Sequence, residues 1–270
     1  MLSYVGASGA VDLDCESALS ESLGDVRGYE WGYTLSARGM SSPSRDARKV
    51  SFNVHFSDQG ELDRLRRVAD ADVTARKPGK LVSGEWSQRC YIVARGTRQQ
   101  NADGSVDAEV TAILLDGVWR RSRVEEFVPT SVDASSDALD LPHDLPHDLA
   151  TPPAPSSLTV AASLPCPVSI TVFGPASSPY VVIGGNTYRV NVDVPDGGYL
   201  EIDGIEKTVK VTDSQGAVTD AFGKAERGAG EGGGRYIFER VEPGTHDVSW
   251  DKSFGFELTI HEEEGERPWT

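Results

Sequence analysis

The most regular feature of the chain is the way its apolar positions change period. From Tyr29 the odd positions hold Tyr29, Trp31, Tyr33, Leu35 and Ala37, and the even ones Glu30, Gly32, Thr34, Ser36 and Arg38. Sustained alternation rich in aromatics predicts a half-buried strand. Val50, Phe52, Val54 and Phe56, alternating with Ser51, Asn53, His55 and Ser57, predict a second. Between them Gly39–Arg48 reads as a polar connection long enough to project from a sheet edge. The period then lengthens. Asp58 followed by Glu61 is a capping-box pattern, and Leu62, Leu65, Val68 and Ala69 share one helical face, so a helix is expected near 58–76, stopped by Lys77-Pro78-Gly79. Alternation returns over Gly84–Arg98, where Trp86, Cys90 and Ile92 oppose Tyr91 and Val93. It turns at Asn101-Ala102-Asp103-Gly104 and comes back through Val106, Ala108, Val110, Ala112 and Leu114. Trp119–Phe127 adds a last strand.

The rest of the chain is strand pattern throughout. Val168, Ile170 and Val172 alternate; Tyr180–Ile183 and Thr187–Val194 flank a Gly184-Gly185-Asn186 turn; Leu200–Ile202 and Ile205–Val211 flank Asp203-Gly204. Arg235–Val241 is expected as a strand turning through Glu242-Pro243-Gly244 into Thr245–Trp250, and Phe254, Phe256, Leu258 and Ile260 alternate to close the series. Short strands at close spacing without a helix predict a β-sandwich or jelly-roll. The fold class is therefore mainly β: an N-terminal antiparallel β domain, split-barrel or sandwich-like, with one α-helix, followed by a C-terminal β-sandwich.

Composition sharpens the division. The 270 residues carry 42 acidic and 26 basic side chains, a net of −16. Residues 1–129 hold 17 basic and 19 acidic groups, a net of −2, which leaves 9 basic and 23 acidic groups, a net of −14, for residues 130–270. Residues 129–157 are rich in Pro, Ser and Asp and nearly free of aromatics, a composition that gives an extended connection and not a core. The expected organisation is an N-terminal domain at 1–129, a linker at 130–157 and a C-terminal domain at 158–270. An acidic chain has no clustered basic surface for binding nucleic acid by phosphate neutralisation. No apolar run approaches the ~20 residues of a membrane span, and the N-terminal run lacks the basic and apolar regions of a signal peptide. Three widely spaced cysteines, Cys15, Cys90 and Cys166, read as reduced thiols.

Candidate chemistry is sparse. The linker repeats Asp-Leu-Pro-His, placing Leu141, Pro142, His143 and Asp144 before Pro146, His147 and Asp148. Two histidines four apart share a face only on a helix, which these prolines oppose, and an extended chain holds them roughly 12–13 Å apart. A stiff docking linker is the better reading than a metal site. Gly228–Gly234 is glycine-rich, yet it leads into an expected strand and lacks the lysine of a phosphate loop. No G-x-S-x-G is present, and His246 and His261 lie on strand patterns. Glu262-Glu263-Glu264 reads as a solvated face. No catalytic residue, no metal site and no cofactor is expected.

The closing residues carry a resemblance. Pro243-Gly244 leads through His246 and Val248 to Trp250, then to Phe254 and Phe256 in an alternating strand, then to Glu262-Glu263, Pro268 and Trp269. This sequence of features resembles the C-terminus of siphophage distal tail proteins, and the Asp-Leu-Pro-His repeat resembles the interdomain linker of that family. The order strand, strand, helix, long hairpin also fits its ring-forming domain. The resemblance implies a structural virion protein at the tail tip, assembled in the host cytoplasm. It implies a hexameric ring built by the N-terminal domains, with galectin-like or other sandwich domains outside. The implied partners are the major tail tube protein, the tape measure protein and the tail-tip hub protein, with DNA passing through the lumen and neither specific nucleic-acid binding nor membrane insertion. The alternative is a soluble glycan-binding β-sandwich module for host surface recognition, with Tyr180, Tyr199 and Trp250 as stacking aromatics.

Overall fold

A computed structural model describes residues 2–13, 26, 28–129 and 156–266. The chain forms two compact units, divided between Arg121 and Ser122 and again between Glu262 and Glu263. The stretch from Glu263 onward thus belongs with the first unit, whereas the composition of the sequence puts a single division in the 130–157 segment.

The first unit contains β1 (Leu2–Gly6), β2 (Gly9–Asp12), β3 (Gly32–Ser36), β4 (Gly39–Ser44), β5 (Arg48–Phe56), α1 (Gln59–Ala75), β6 (Gly79–Ser83), β7 (Trp86–Gln100), β8 (Val106–Leu114) and the start of β9 (Trp119–Phe127). Its main sheet is antiparallel in the order β2-β1-β6-β7-β8-β5. The period-two residues explain which face is buried: Val50, Phe52, Val54 and Phe56 on β5, and Val106, Ala108, Val110, Ala112 and Leu114 on β8, are all 5% exposed or less. Against this face lies α1. Its N-terminus is held by the Asp58 carboxylate, which accepts from the Glu61 amide at 3.0 Å, while the Glu61 carboxylate accepts from the Ser57 amide. Leu62 and Leu65 are wholly buried, and Arg76, in the left-handed region at φ 55°, ends the helix. One turn from that end the buried Asp72 accepts from the Tyr4 hydroxyl at 2.7 Å and the Ala7 amide at 3.0 Å. Burial and then this bond push the Tyr4 hydroxyl well above its ordinary range.

The second unit runs from the rest of β9 through β10 (Ser156–Val160), β11 (Val168–Phe173), β12 (Ala176–Ser177), β13 (Tyr180–Ile183), β14 (Asn186–Arg189), β15 (Asp193–Val194), β16 (Tyr199–Asp203), β17 (Thr208–Thr212), β18 (Val218–Asp220) and β19 (Gly244–Ser249) to β20 (Phe256–Glu264). Two antiparallel sheets, β18-β17-β16-β11-β20 and β10-β19-β13-β14, share one apolar core, so the chain is mainly β and this unit is a β-sandwich. The hairpin predicted around Gly184-Gly185-Asn186 is present, but its turn is only Gly184 and Gly185, at φ 57° and 87°, because Asn186 already pairs with Ile183 and opens β14.

Three local expectations change. The Asp203-Gly204 turn is longer, because the Asp203 carboxylate accepts from the amides of Ile205 and Glu206 and postpones β17 to Thr208. Arg235–Val241 is not a strand. The Asn186 side chain donates to the Tyr236 carbonyl at 3.0 Å and accepts from the Tyr236 amide at 3.1 Å, so one amide side chain replaces a strand neighbour. Glu262 and Glu263 are 3% and 5% exposed, which overturns their reading as a solvated face.

Cys90 and Cys166 are buried and neither forms a disulfide among the described residues, and Cys15 lies outside them. Burial pushes the Cys90 thiol up to about 12, so at pH 8 almost none of it is thiolate. Iodoacetamide labelling at pH 8, read by peptide mass spectrometry, is expected to leave Cys90 unmodified in folded protein and to modify it fully after denaturation.

Candidate functional site

The feature that most departs from ordinary surface chemistry is the hairpin of β3 and β4. Among the described residues it pairs with no other strand, and Leu35 stands directly opposite Met40 in its register. Tyr33, Leu35 and Met40 are 56%, 72% and 58% exposed. Alternation puts them on one face of the ribbon, with Thr34, Ser36 and Ser41 on the other. The strand predicted at Tyr29–Ala37 is therefore present over Gly32–Ser36, but its apolar face is not half-buried: among the described residues no element covers it. Gly39–Arg48, expected as a loop, is largely the second strand of this ribbon. A two-stranded ribbon has little stability by itself.

Its base is strongly held. The Arg45 guanidinium lies over the rings of Tyr29 at 5.1 Å and Trp31 at 4.5 Å. Arg48 donates to the carbonyls of Val26 and Gly28. Gly265 passes so close under Tyr29 that a β-carbon there would sit 2.7 Å from the ring, so the returning chain and the ribbon's root are packed together. That return is fixed by charge. Arg89 forks onto Asp116 with contacts of 2.7–3.1 Å, Arg120 donates to Asp116 at 2.9 Å, and the Arg120 Nε donates to Glu263 at 2.7 Å. The side chains of Asp116, Arg120 and Glu263 are 7%, 18% and 6% exposed. This alternating series is the functional support that sequence reasoning missed, since nothing in a Glu-Glu-Glu run signals an arginine partner more than a hundred residues away.

The predicted site residues fall in two groups. Leu141, Pro142, His143, Asp144, Pro146, His147, Asp148, Pro268 and Trp269 lie outside the described residues. Gly244 opens β19 just after Pro243, while Trp250, Phe254 and Phe256 come together with Phe127 in the core of the second unit. Phe127 stacks on Phe256 at 4.6 Å, and Trp250 meets Phe256 edge-on at 5.1 Å while its Nε1 donates to the Phe254 carbonyl. These residues hold the fold; their side chains are turned inward. Among the described residues no group of three or more His, Cys, Asp or Glu side chains converges on a metal position. His261 sits between the hydroxyls of Ser122 and Ser169, each 2.9 Å away. His246 lies 2.6 Å from the Glu242 carbonyl, and the Gly232 amide of the glycine-rich loop donates to the Glu239 carboxylate. His55 meets Asp107 at 2.7 Å, and this bond, with a second from Asn101, holds the Asp107 carboxyl below its ordinary value.

With this geometry in place, comparison with known proteins gives a fold. No protein-family model matches the chain, and no curated protein matches it either. Solved structures do. The crystal structure of the phage SPP1 Dit protein, described as a paradigm of the hub adsorption apparatus in phages infecting Gram-positive hosts, aligns over 98% of this chain and 99% of that one, with TM-score 0.53 and 8% identity. The phage p2 baseplate in its activated conformation, solved with Ca and with Sr, aligns over 99% of this chain and 100% of the matched chain, with TM-score 0.56 and 10% identity. The chain shares the fold of phage tail-tip hub and baseplate proteins along its whole length. No helix among the described residues is long and apolar enough to cross a membrane.

Two measurements test the site's supports. Glu263→Ala leaves Arg120 short of a partner in a buried setting and is expected to lower stability by about 3–5 kcal/mol in urea denaturation at pH 7. A lowered carboxyl pKa favours the native state above the unfolded value and loses that contribution as pH falls through the native one. In a carboxyl NMR titration Asp107 is therefore expected to titrate below the ordinary aspartate value and to move back toward it in His55→Ala.

Proposed function

We propose that this chain is a structural, non-enzymatic subunit of a phage tail tip. Six copies join through their first units into a ring that connects the tail tube to the tail-tip hub and host-adhesion device, and DNA passes through the lumen. The observation that carries this reading is the apolar face of the β3–β4 ribbon, exposed among the described residues, on a chain whose fold follows hub and baseplate proteins over at least 98% of its length. A closed ring uses heterologous contacts, so every copy must carry both a projecting element and a surface that receives it. The ribbon is the projecting element. Its root, fixed by Arg45, Arg48 and the Glu263 network, transmits load from the contact into the main sheet.

The remaining features agree with a passive conduit. The near-neutral first 129 residues, with a net of −2, supply few cations to hold phosphate, so DNA slides without being retained. The net of −14 on residues 130–270 makes neighbouring second units repel within the ~8 Å screening length at physiological salt, which favours a peripheral, galectin-like sandwich. The neighbours required are the major tail tube protein, the tape measure protein and the tail-tip hub protein. The function places the chain in the virion tail after assembly in the host cytoplasm.

Six copies of the 29.0 kDa chain come to about 174 kDa, so light scattering of the protein, alone or with its tail-tube and hub neighbours, is expected to show that mass or a complex containing it. Leu35→Asp with Met40→Asp is expected to abolish the ring. Because both side chains are exposed, the same pair leaves the unfolding free energy of the single chain within about 0.5 kcal/mol of the original. A 29.0 kDa species that persists in the presence of the tail partners would instead favour a lone module.

A further inference from the structure

The second unit carries a surface that ring formation does not use. On β11 and β16, Phe173 and Tyr199 stand directly opposite each other, 41% and 39% exposed. The rest of that outward face is polar: Thr171 and Ser169 continue β11, Glu201 and Asp203 continue β16, and Lys210 and Glu257 flank them in register. Two aromatic side chains at one end of a polar sheet do not follow from packing, since burial is served by the opposite face. Neither ring stacks on another aromatic among the described residues. The other two aromatics that the sequence offers are occupied. Trp250 is 8% exposed and bonded to Phe254, and the Arg189 guanidinium covers the Tyr180 ring at 4.7 Å.

Beside Phe173 the surface deepens into a cavity of about 280 Å³, bordered by Glu126, Val128, Pro129, Ser253 and Gly255. Gly255 contributes only backbone there, its carbonyl accepting from the Phe173 amide at 3.0 Å. The hollow falls just short of the ~300–1,000 Å³ of pockets for drug-sized ligands, a size that suits one sugar ring with the rest of a chain lying outside. A hexopyranose presents C–H groups on a flat face and hydroxyls around its rim. Aromatic faces match the first, and a carboxylate, which offers up to four acceptor sites, matches the second. Charge narrows the ligand further: Glu126, Glu201 and Glu257, the last two within the 130–270 stretch of net −14, repel polyanions such as phosphate- or uronate-bearing polymers.

We propose that Phe173 and Tyr199 form a stacking platform for a neutral hexose-containing glycan, one ring of which enters the adjoining cavity with its hydroxyls donating to Glu126. The site is complete in a single copy, so it stands or falls separately from the ring.

The test uses the full chain on an array of neutral tri- to pentasaccharides of glucose, galactose and N-acetylglucosamine, with uronate oligosaccharides of equal length alongside. Hits are then titrated by NMR. The expected result is binding of a subset of the neutral oligosaccharides with a Kd on the order of 0.1–1 mM and no comparable binding of the uronates. Phe173→Leu with Tyr199→Leu keeps apolar bulk and removes both ring faces; it is expected to weaken binding at least about tenfold with an unchanged circular dichroism spectrum. Tyr180→Leu is expected to bind as the original does. Three outcomes overturn the proposal: no neutral oligosaccharide bound at millimolar concentration, equal binding of uronates, or binding that survives the double leucine variant. The last would mean that the glycan binds elsewhere on the chain.

Discussion

A β-strand has two faces, and in water one of them must find apolar cover. Nearly every strand of this chain satisfies that requirement internally: β5 and β8 beneath α1, and the two sheets of the sandwich against each other. The β3–β4 ribbon does not, although its sequence has the same alternation as its neighbours. Among the described residues nothing covers its face, and this makes an ordinary amphipathic pattern a candidate contact surface. The polar second face, with Thr34, Ser36 and Ser41, keeps the cover to one side, so the contact has a direction as well as an energy.

A projecting ribbon is useful only if its root does not yield. Here the root is stiffened by interactions of a different kind from those in the core. Arg45 lies across two aromatic rings, Arg48 ties two carbonyls, and four charges alternate from Arg89 through Asp116 and Arg120 to Glu263. Buried ion series of this type add little net stability compared with apolar packing, but each member becomes costly to remove, which fixes geometry. The acidic excess of the chain is therefore not uniform in meaning. Asp116 and Glu263 serve structure inside the first unit, whereas Glu126, Glu201 and Glu257 lie at the surface of the second.

The sequence was legible wherever a single local period decided the outcome. The capping residues of α1, the buried faces of β5 and β8, the Asn101–Gly104 turn and β9 from Trp119 to Phe127 all follow from neighbours within a few positions. It was illegible where side chains replaced backbone partners. Asn186 pairing with Tyr236 removes an expected strand at Arg235–Val241, and Asp203 lengthens a turn. The short strands β1 and β2 hold too few residues for a period to declare itself, and their anchor, Tyr4 on Asp72, spans most of the first unit. Alternation at Tyr29–Ala37 reports that a face is apolar without saying what covers it. Of the aromatic candidates, only contacts in three dimensions separate Trp250, which is core, from Tyr199, which is surface.

The order of the two units along the chain has a further consequence. Since the polypeptide leaves the first unit after Arg121 and re-enters it at Glu263, the sandwich is an insert within a host fold, not an appendage at its end. Exchanging it by recombination takes two splices at once, and a single crossover would strand Arg120 without the carboxylate that the far junction delivers. An insert of another kind spliced between the same two points would leave the Arg89, Asp116, Arg120 and Glu263 series whole.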